Sequence, residues 1–149
     1  MKRTAIKETV ITTASTILIL VFIYTSASKL FSVDDFRSSL ERQPLPEWTR
    51  GALFYFLPIS EISASILLFL PRTNLIGLVS SSLLMLLFTG YVGFGIFHVF
   101  SQVPCTCGGV FQHMSWEMHF VFNLVLLSLA LTAIFCKYSI EKHSSFEPT

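Results

Sequence analysis

Four apolar runs dominate this chain, and each is about as long as a bilayer's hydrocarbon core is thick. A helix crosses that core with about 20 predominantly apolar residues. The runs cover about residues 9 to 30, 51 to 70, 75 to 100 and 118 to 138. Pro71-Arg72-Thr73-Asn74 separates the second from the third, so those two are expected to be antiparallel neighbours. The expected fold is all-α: a polytopic membrane protein in which residues 1–149 form one domain, a four-transmembrane-helix bundle.

Composition agrees with that reading and excludes others. Apolar residues make up 52% of the chain and charged residues 13%, and the mean hydropathy is +0.67. A small soluble domain needs more charge on its surface than this. The formal charge of +1 and the lack of a basic stripe with interleaved aromatics give no argument for nucleic acid. No nucleotide fingerprint or phosphate loop is visible, and the partner that composition implies is the lipid bilayer.

Lysine and arginine favour the cytoplasmic side of a membrane, which sets an orientation. With an even number of spans the N-terminus, the Arg72 turn and the C-terminal tail share one side. That side holds Lys2, Arg3, Lys7, Arg72, Lys137 and Lys142. The other side holds Lys29, Arg37, Arg42 and Arg50, diluted by Asp34, Asp35, Glu41 and Glu47. Both termini are therefore expected inside. The first run has a basic start and a small-residue stretch, Ser26-Ala27-Ser28, reminiscent of a cleavable signal peptide. Its length favours a retained span.

Between the third and fourth runs lies Pro104-Cys105-Thr106-Cys107-Gly108-Gly109, in a loop with no lysine or arginine, expected to face outward. Disulfides form and persist outside the cytoplasmic membrane. A bridge across one intervening residue closes a small ring, and strained bridges are the more oxidising ones. Gly108 and Gly109 supply the backbone freedom such a turn needs, and Pro104 stiffens its entry. Cys105 and Cys107 are thus the candidate catalytic pair, either of them the exchanging thiol. A permanent structural bridge is the plain alternative. A second alternative is a copper(I) site drawn from Cys105, Cys107, His113 and Met114, with Met118 and His119 nearby, because thiolate, thioether and imidazole suit that ion. A third is a non-catalytic assembly or accessory factor. Cys136, in an apolar run, reads as a packing residue.

Polar residues inside the runs form the second set of candidates. Glu61 lies near the middle of the second run, on the order of 15 Å below the outer end of its helix at 1.5 Å per residue. An ionisable group at such depth costs about 2.5–3.5 kcal/mol on insertion scales unless paired, protonated or hydrated. Pro58 removes a backbone donor one turn earlier. Glu61 reads either as a functional group or as a neutral carboxyl bonded to Ser60, Ser63 or a neighbouring helix. Lys29 reads as an interfacial anchor or as a cation reaching inward to Glu61 or to a thiolate, whose pKa it would lower. His119 and Asn123 are four residues apart and share one helix face. Lys29, Glu61, His119 and Asn123 are expected to converge beneath the cysteine loop.

Several of these elements together resemble one family. They are Ser28-Lys29-Leu30, Asp35-Phe36, Gln43-Pro44-Leu45-Pro46, Leu57-Pro58-Ile59-Ser60-Glu61, the Cys-x-Cys element, and Trp116-Glu117-Met118-His119 with Asn123. In this order they resemble the methylamine-utilisation protein E (MauE) and DoxX-like redox-associated membrane proteins, from about Val10 to Cys136. The resemblance implies a multi-pass protein of the bacterial cytoplasmic (inner) membrane that supports maturation of a disulfide-rich periplasmic client, methylamine dehydrogenase in the family's case. It also implies exchange with a periplasmic thioredoxin-like partner. The architecture is similar to vitamin K epoxide reductase and DsbB, which implies quinone as a cofactor. Those enzymes carry Cys-x-x-Cys, whereas this chain carries Cys-x-Cys and no second pair.

Overall fold

The computed structural model describes residues 2–43, 45–96 and 115–144. These residues form five helices: α1 (Lys2–Phe31), α2 (Val33–Glu41), α3 (Glu47–Phe69), α4 (Asn74–Ile96) and α5 (Trp116–Ser144). No strand occurs among the described residues. The four long helices are each long and apolar enough to cross a membrane.

The long helices pack in the ring order α1, α3, α4, α5, with α5 closing back onto α1. Leu18, Phe22, Ala64, Leu78, Met85, Leu126, Ala130 and Ala133 are buried along the axis. Ala64, Ala130 and Ala133 let backbones approach, the usual way membrane helices gain packing where no hydrophobic force drives them together. The outward faces are as apolar as the inward ones: Leu20, Ile59, Phe69, Leu87 and Phe135 are all exposed. A helix that is apolar all round belongs in lipid or in the core of a large protein.

Helix α3 ends and α4 begins within a short turn built on one close approach. The Thr73 hydroxyl donates to the Leu67 carbonyl (3.0 Å) and the Asn74 amide to the Leu68 carbonyl (2.8 Å). A Cβ on Gly77 would lie 2.6 Å from the Leu68 backbone nitrogen. Only glycine lets α4 start this near to the end of α3.

Three helix bounds depart from the expectation: α1 begins at Lys2 rather than near Thr9, α3 begins at Glu47 rather than near Gly51, and α5 continues past Tyr138 to Ser144. The stretch between the first two spans also contains α2. Its Phe36 and Leu40 are buried against Leu53, Phe54 and Leu57, while its acidic first turn, Asp34 and Asp35, stays exposed. Phe36 and Phe54 stack with ring centroids 5.4 Å apart. Arg50 ties the following turn down, donating from Nε to the Leu45 carbonyl (2.7 Å) and from a terminal nitrogen to the Glu41 carbonyl (3.2 Å).

Candidate functional site

The end of the bundle where α1 stops and α3 and α5 start carries most of the ionisable groups buried in the interior. Ser26 and Lys29, three residues apart on α1, share the face turned toward α3. The Lys29 ammonium lies 2.6 Å from Oε1 of Glu61, and both side chains are 2% exposed. The Ser26 hydroxyl donates to Oε2 of the same carboxylate at 2.9 Å. Lys29 therefore reaches inward rather than anchoring at an interface. Its ammonium sits 5.9 Å from the centroid of the Phe36 ring, so α2 lies close to the pair.

The depth of Glu61 departs from the expectation, while its partners are among those expected, a neighbouring helix and Lys29. Counting from Glu47, it sits about 21 Å along α3 rather than about 15 Å, at 1.5 Å per residue. Its side-chain partners come from α1 and not from Ser60, whose hydroxyl bonds the Leu57 carbonyl at 2.8 Å. The Ser65 hydroxyl donates to the Glu61 backbone carbonyl at 3.0 Å.

Two charges removed from water cost several kcal/mol each, and attraction repays this only when the geometry is tight and the remaining polar capacity is used. The separation and the serine bond meet that condition for Glu61. A buried pair is nonetheless weak evidence for added stability, because an apolar pair of equal volume does as well or better.

Helix α5 contributes the other wall. His119 is 3% and Asn123 5% exposed, so both face the bundle interior, while Met118 is 60% exposed on a different face. His119 and Met118 therefore do not converge on a common ligand. Glu61, Thr25, His119 and Asn123 line one small cavity together with apolar groups that include Phe22, Met85 and Phe88. Its volume is about 20 Å³. Among the described residues, Asn123 Nδ2 is buried there without a hydrogen-bond partner. Of the four polar candidates, Lys29 and Glu61 are in contact, and Glu61, His119 and Asn123 border a shared space.

Pro104, Cys105, Cys107, Gly108, Gly109, His113 and Met114 lie outside the described residues. Among the described residues no group of three or more His, Cys, Asp or Glu side chains is placed to hold a metal. A quinone ring does not fit the cavity beside Glu61, which at about 20 Å³ admits something the size of water.

Sequence reasoning passed over Ser26, noted only as part of a small-residue stretch, and Thr25. It also passed over the contact between α4 and the α2–α3 turn, where the Tyr91 hydroxyl donates to Oε1 of buried Gln43. The signal for Ser26 was its spacing: with Lys29 it forms a polar i, i+3 pair on an apolar helix.

The family model for methylamine utilisation protein MauE matches residues 7–136, which takes in the whole of α3 and α4, most of α1 and α5, and the cluster between them. The chain belongs to the MauE family. With four helices able to span a membrane, it is a multi-pass membrane protein. The match says nothing about the DoxX-like side of the resemblance. No curated protein and no solved structure matches the chain.

Proposed function

We propose that this MauE-family protein is a membrane accessory of thiol–disulfide exchange that supports maturation of a disulfide-containing client outside the cytoplasmic membrane. Cys105 and Cys107 are the exchanging pair: a client or thioredoxin-like thiolate attacks one sulfur of their bridge. The other sulfur leaves as thiolate and takes up a proton, and a second client thiolate resolves the mixed disulfide. The net change reduces the Cys105–Cys107 bridge and oxidises two client thiols, and a second thioredoxin-like disulfide restores the bridge. No step draws on a quinone. Both termini lie in the cytoplasm, as the distribution of lysine and arginine favours.

The observation that carries this reading is the buried Lys29–Glu61 pair with His119 and Asn123 close by. It occupies the end at which α4 leaves the bundle and α5 re-enters, the connection in whose sequence the two cysteines stand. Ionisable groups inside a membrane protein are costly and are generally retained for function. A purely structural bundle of this size has no need of them.

Single replacements Cys105→Ser and Cys107→Ser should each stop client oxidation, and one of them should trap a mixed disulfide visible as a mass shift that reductant reverses. Wild-type client maturation by the double serine variant would overturn the exchange reading and leave a non-catalytic assembly role.

A further inference from the structure

Asn123 presents a buried amide with two N–H donors and no partner for them among the described residues, on a cavity also lined by Glu61, His119 and Thr25. A buried amide left unpaired pays its full desolvation penalty. Empty cavities in proteins are lined by apolar groups, whereas a cavity with converging polar groups holds water once it offers about 10–15 Å³. This one offers about 20 Å³, enough for one water and too little for a larger ligand.

We infer that the cavity is a binding site for a single structural water, held by Asn123 and accepted by Glu61. The water needs two to four polar partners, and Asn123, Glu61, Thr25 and His119 are among the residues lining a wall that is otherwise mostly apolar. Asn123 Nδ2 donates to the water oxygen. The Glu61 carboxylate has room to accept from the water, because Ser26 occupies one site on Oε2 and Lys29 one on Oε1 out of about four lone-pair sites. The water's second hydrogen turns toward the His119 and Thr25 side of the cavity; the Thr25 hydroxyl, which donates to the Phe22 carbonyl at 3.2 Å, can still accept. Lys29, Glu61, the water and Asn123 then form one hydrogen-bonded path from α1 through α3 to α5. Without the water, the ion pair and the α5 amide are separate features.

The site stands on the cavity and the orphaned amide alone, so it holds or fails independently of any thiol chemistry. The test uses the full-length protein in lipid bilayers. In 15N-labelled protein, magnetisation transferred from water should reach the Asn123 side-chain amide by solid-state NMR as strongly as it reaches amides at the membrane surface. An Asn123 amide with no water transfer would overturn the site. Asn123→Leu fills the space with an apolar group of similar volume and gives a second, opposite-signed readout. If the cavity holds water, its loss strips Glu61 of an acceptor contact and the unfolding temperature falls. If the cavity is dry, the substitution removes an unpaired amide and the unfolding temperature rises, which would refute the proposal. Should Asn123→Leu fail to insert, Asn123→Asp keeps an acceptor but no amide donor, and the water transfer at the Glu61 side-chain carbons should fall while the fold is retained.

Discussion

Asn74, the first residue of α4, and Asn123, about two turns into α5, are both buried asparagines toward opposite ends of the bundle, and their surroundings could hardly differ more. The Asn74 amide donates to Ser15 Oγ (3.0 Å) and to the Leu68 carbonyl (2.8 Å), and its oxygen accepts from the Lys137 ammonium (3.0 Å). One side chain thus joins α1, α3, α4 and α5 with its donors used, beside the close approach at Gly77. Nearby, Lys7 donates to Ser139 at 2.6 Å and fastens the start of α1 to the end of α5. The Asn123 amide donates to no described protein group and borders a cavity shared with the Glu61 carboxylate, which is itself paired with the Lys29 ammonium out of water. A satisfied polar knot holds helices in register. An ion pair beside an amide that no described protein group satisfies is an arrangement that packing alone does not explain, and ionisable groups inside a membrane protein are costly and generally mark function.

The largest effect should come from splitting the ion pair. Lys29→Met or Glu61→Leu alone leaves an uncompensated buried charge and should cost about 3–5 kcal/mol of stability. The double variant Lys29→Met/Glu61→Leu should recover most of that loss, since an apolar pair of similar volume packs as well. Thermal unfolding of the four proteins in lipid nanodiscs would measure it. If the double variant is as stable as the parent yet fails to support client oxidation, the pair is there for function. If the double variant matures its client at the parental rate, the distinction between the two ends collapses into packing.

How much of this was legible in the sequence divides along the same line. The four spans followed from hydropathy, because lipid leaves a helix no choice about its outer surface. Lys29, Glu61, His119 and Asn123 stood out because each is polar where lipid forbids it, and a bundle has only one interior for them to enter. The Asn74 knot was not legible: Asn74 stood in the turn after Pro71 and Lys137 near a chain end, both ordinary places for polar residues. Gly77 gave no warning either, since its role depends on how near the end of α3 lies. Helix α2 was missed because nine residues present only two core positions, Phe36 and Leu40, too few for a period to show.

The next effect should come from the Asn74 end. Gly77→Ala places a methyl carbon where backbone atoms of Leu67 and Leu68 stand within 2.6 to 2.9 Å. Backbone cannot rotate away as a side chain can, so α4 must shift off α3, at about 1–3 kcal/mol for an overpacked site. Gly93→Ala is the control, because its Cβ would meet only the Phe120 ring, at 3.3 Å, and a ring can give way. Unfolding temperatures should fall clearly for Gly77→Ala and little for Gly93→Ala. Client oxidation per folded molecule should be unchanged in both.

The smallest effect sharpens the comparison most. Lys137 and Asn74 form one bond of a knot, and Lys137 is only partly buried, so in Lys137→Met the Asn74 oxygen loses one partner while the amide keeps both of its own. Hydrogen bonds between membrane helices average about 0.6 kcal/mol in double-mutant cycles, because the unfolded chain in the bilayer also finds partners. A cycle of Asn74→Leu, Lys137→Met and the double variant should return a coupling of about that size. Asn74→Leu should itself cost more than Lys137→Met, since it also leaves the buried Leu68 carbonyl without its side-chain donor. A coupling of several kcal/mol, on the scale expected for Lys29 and Glu61, would mean that the ammonium of Lys137 is held as tightly as that of Lys29. The two ends would then be two charged sites, and the Asn74 end would lose its standing as the plain structural one.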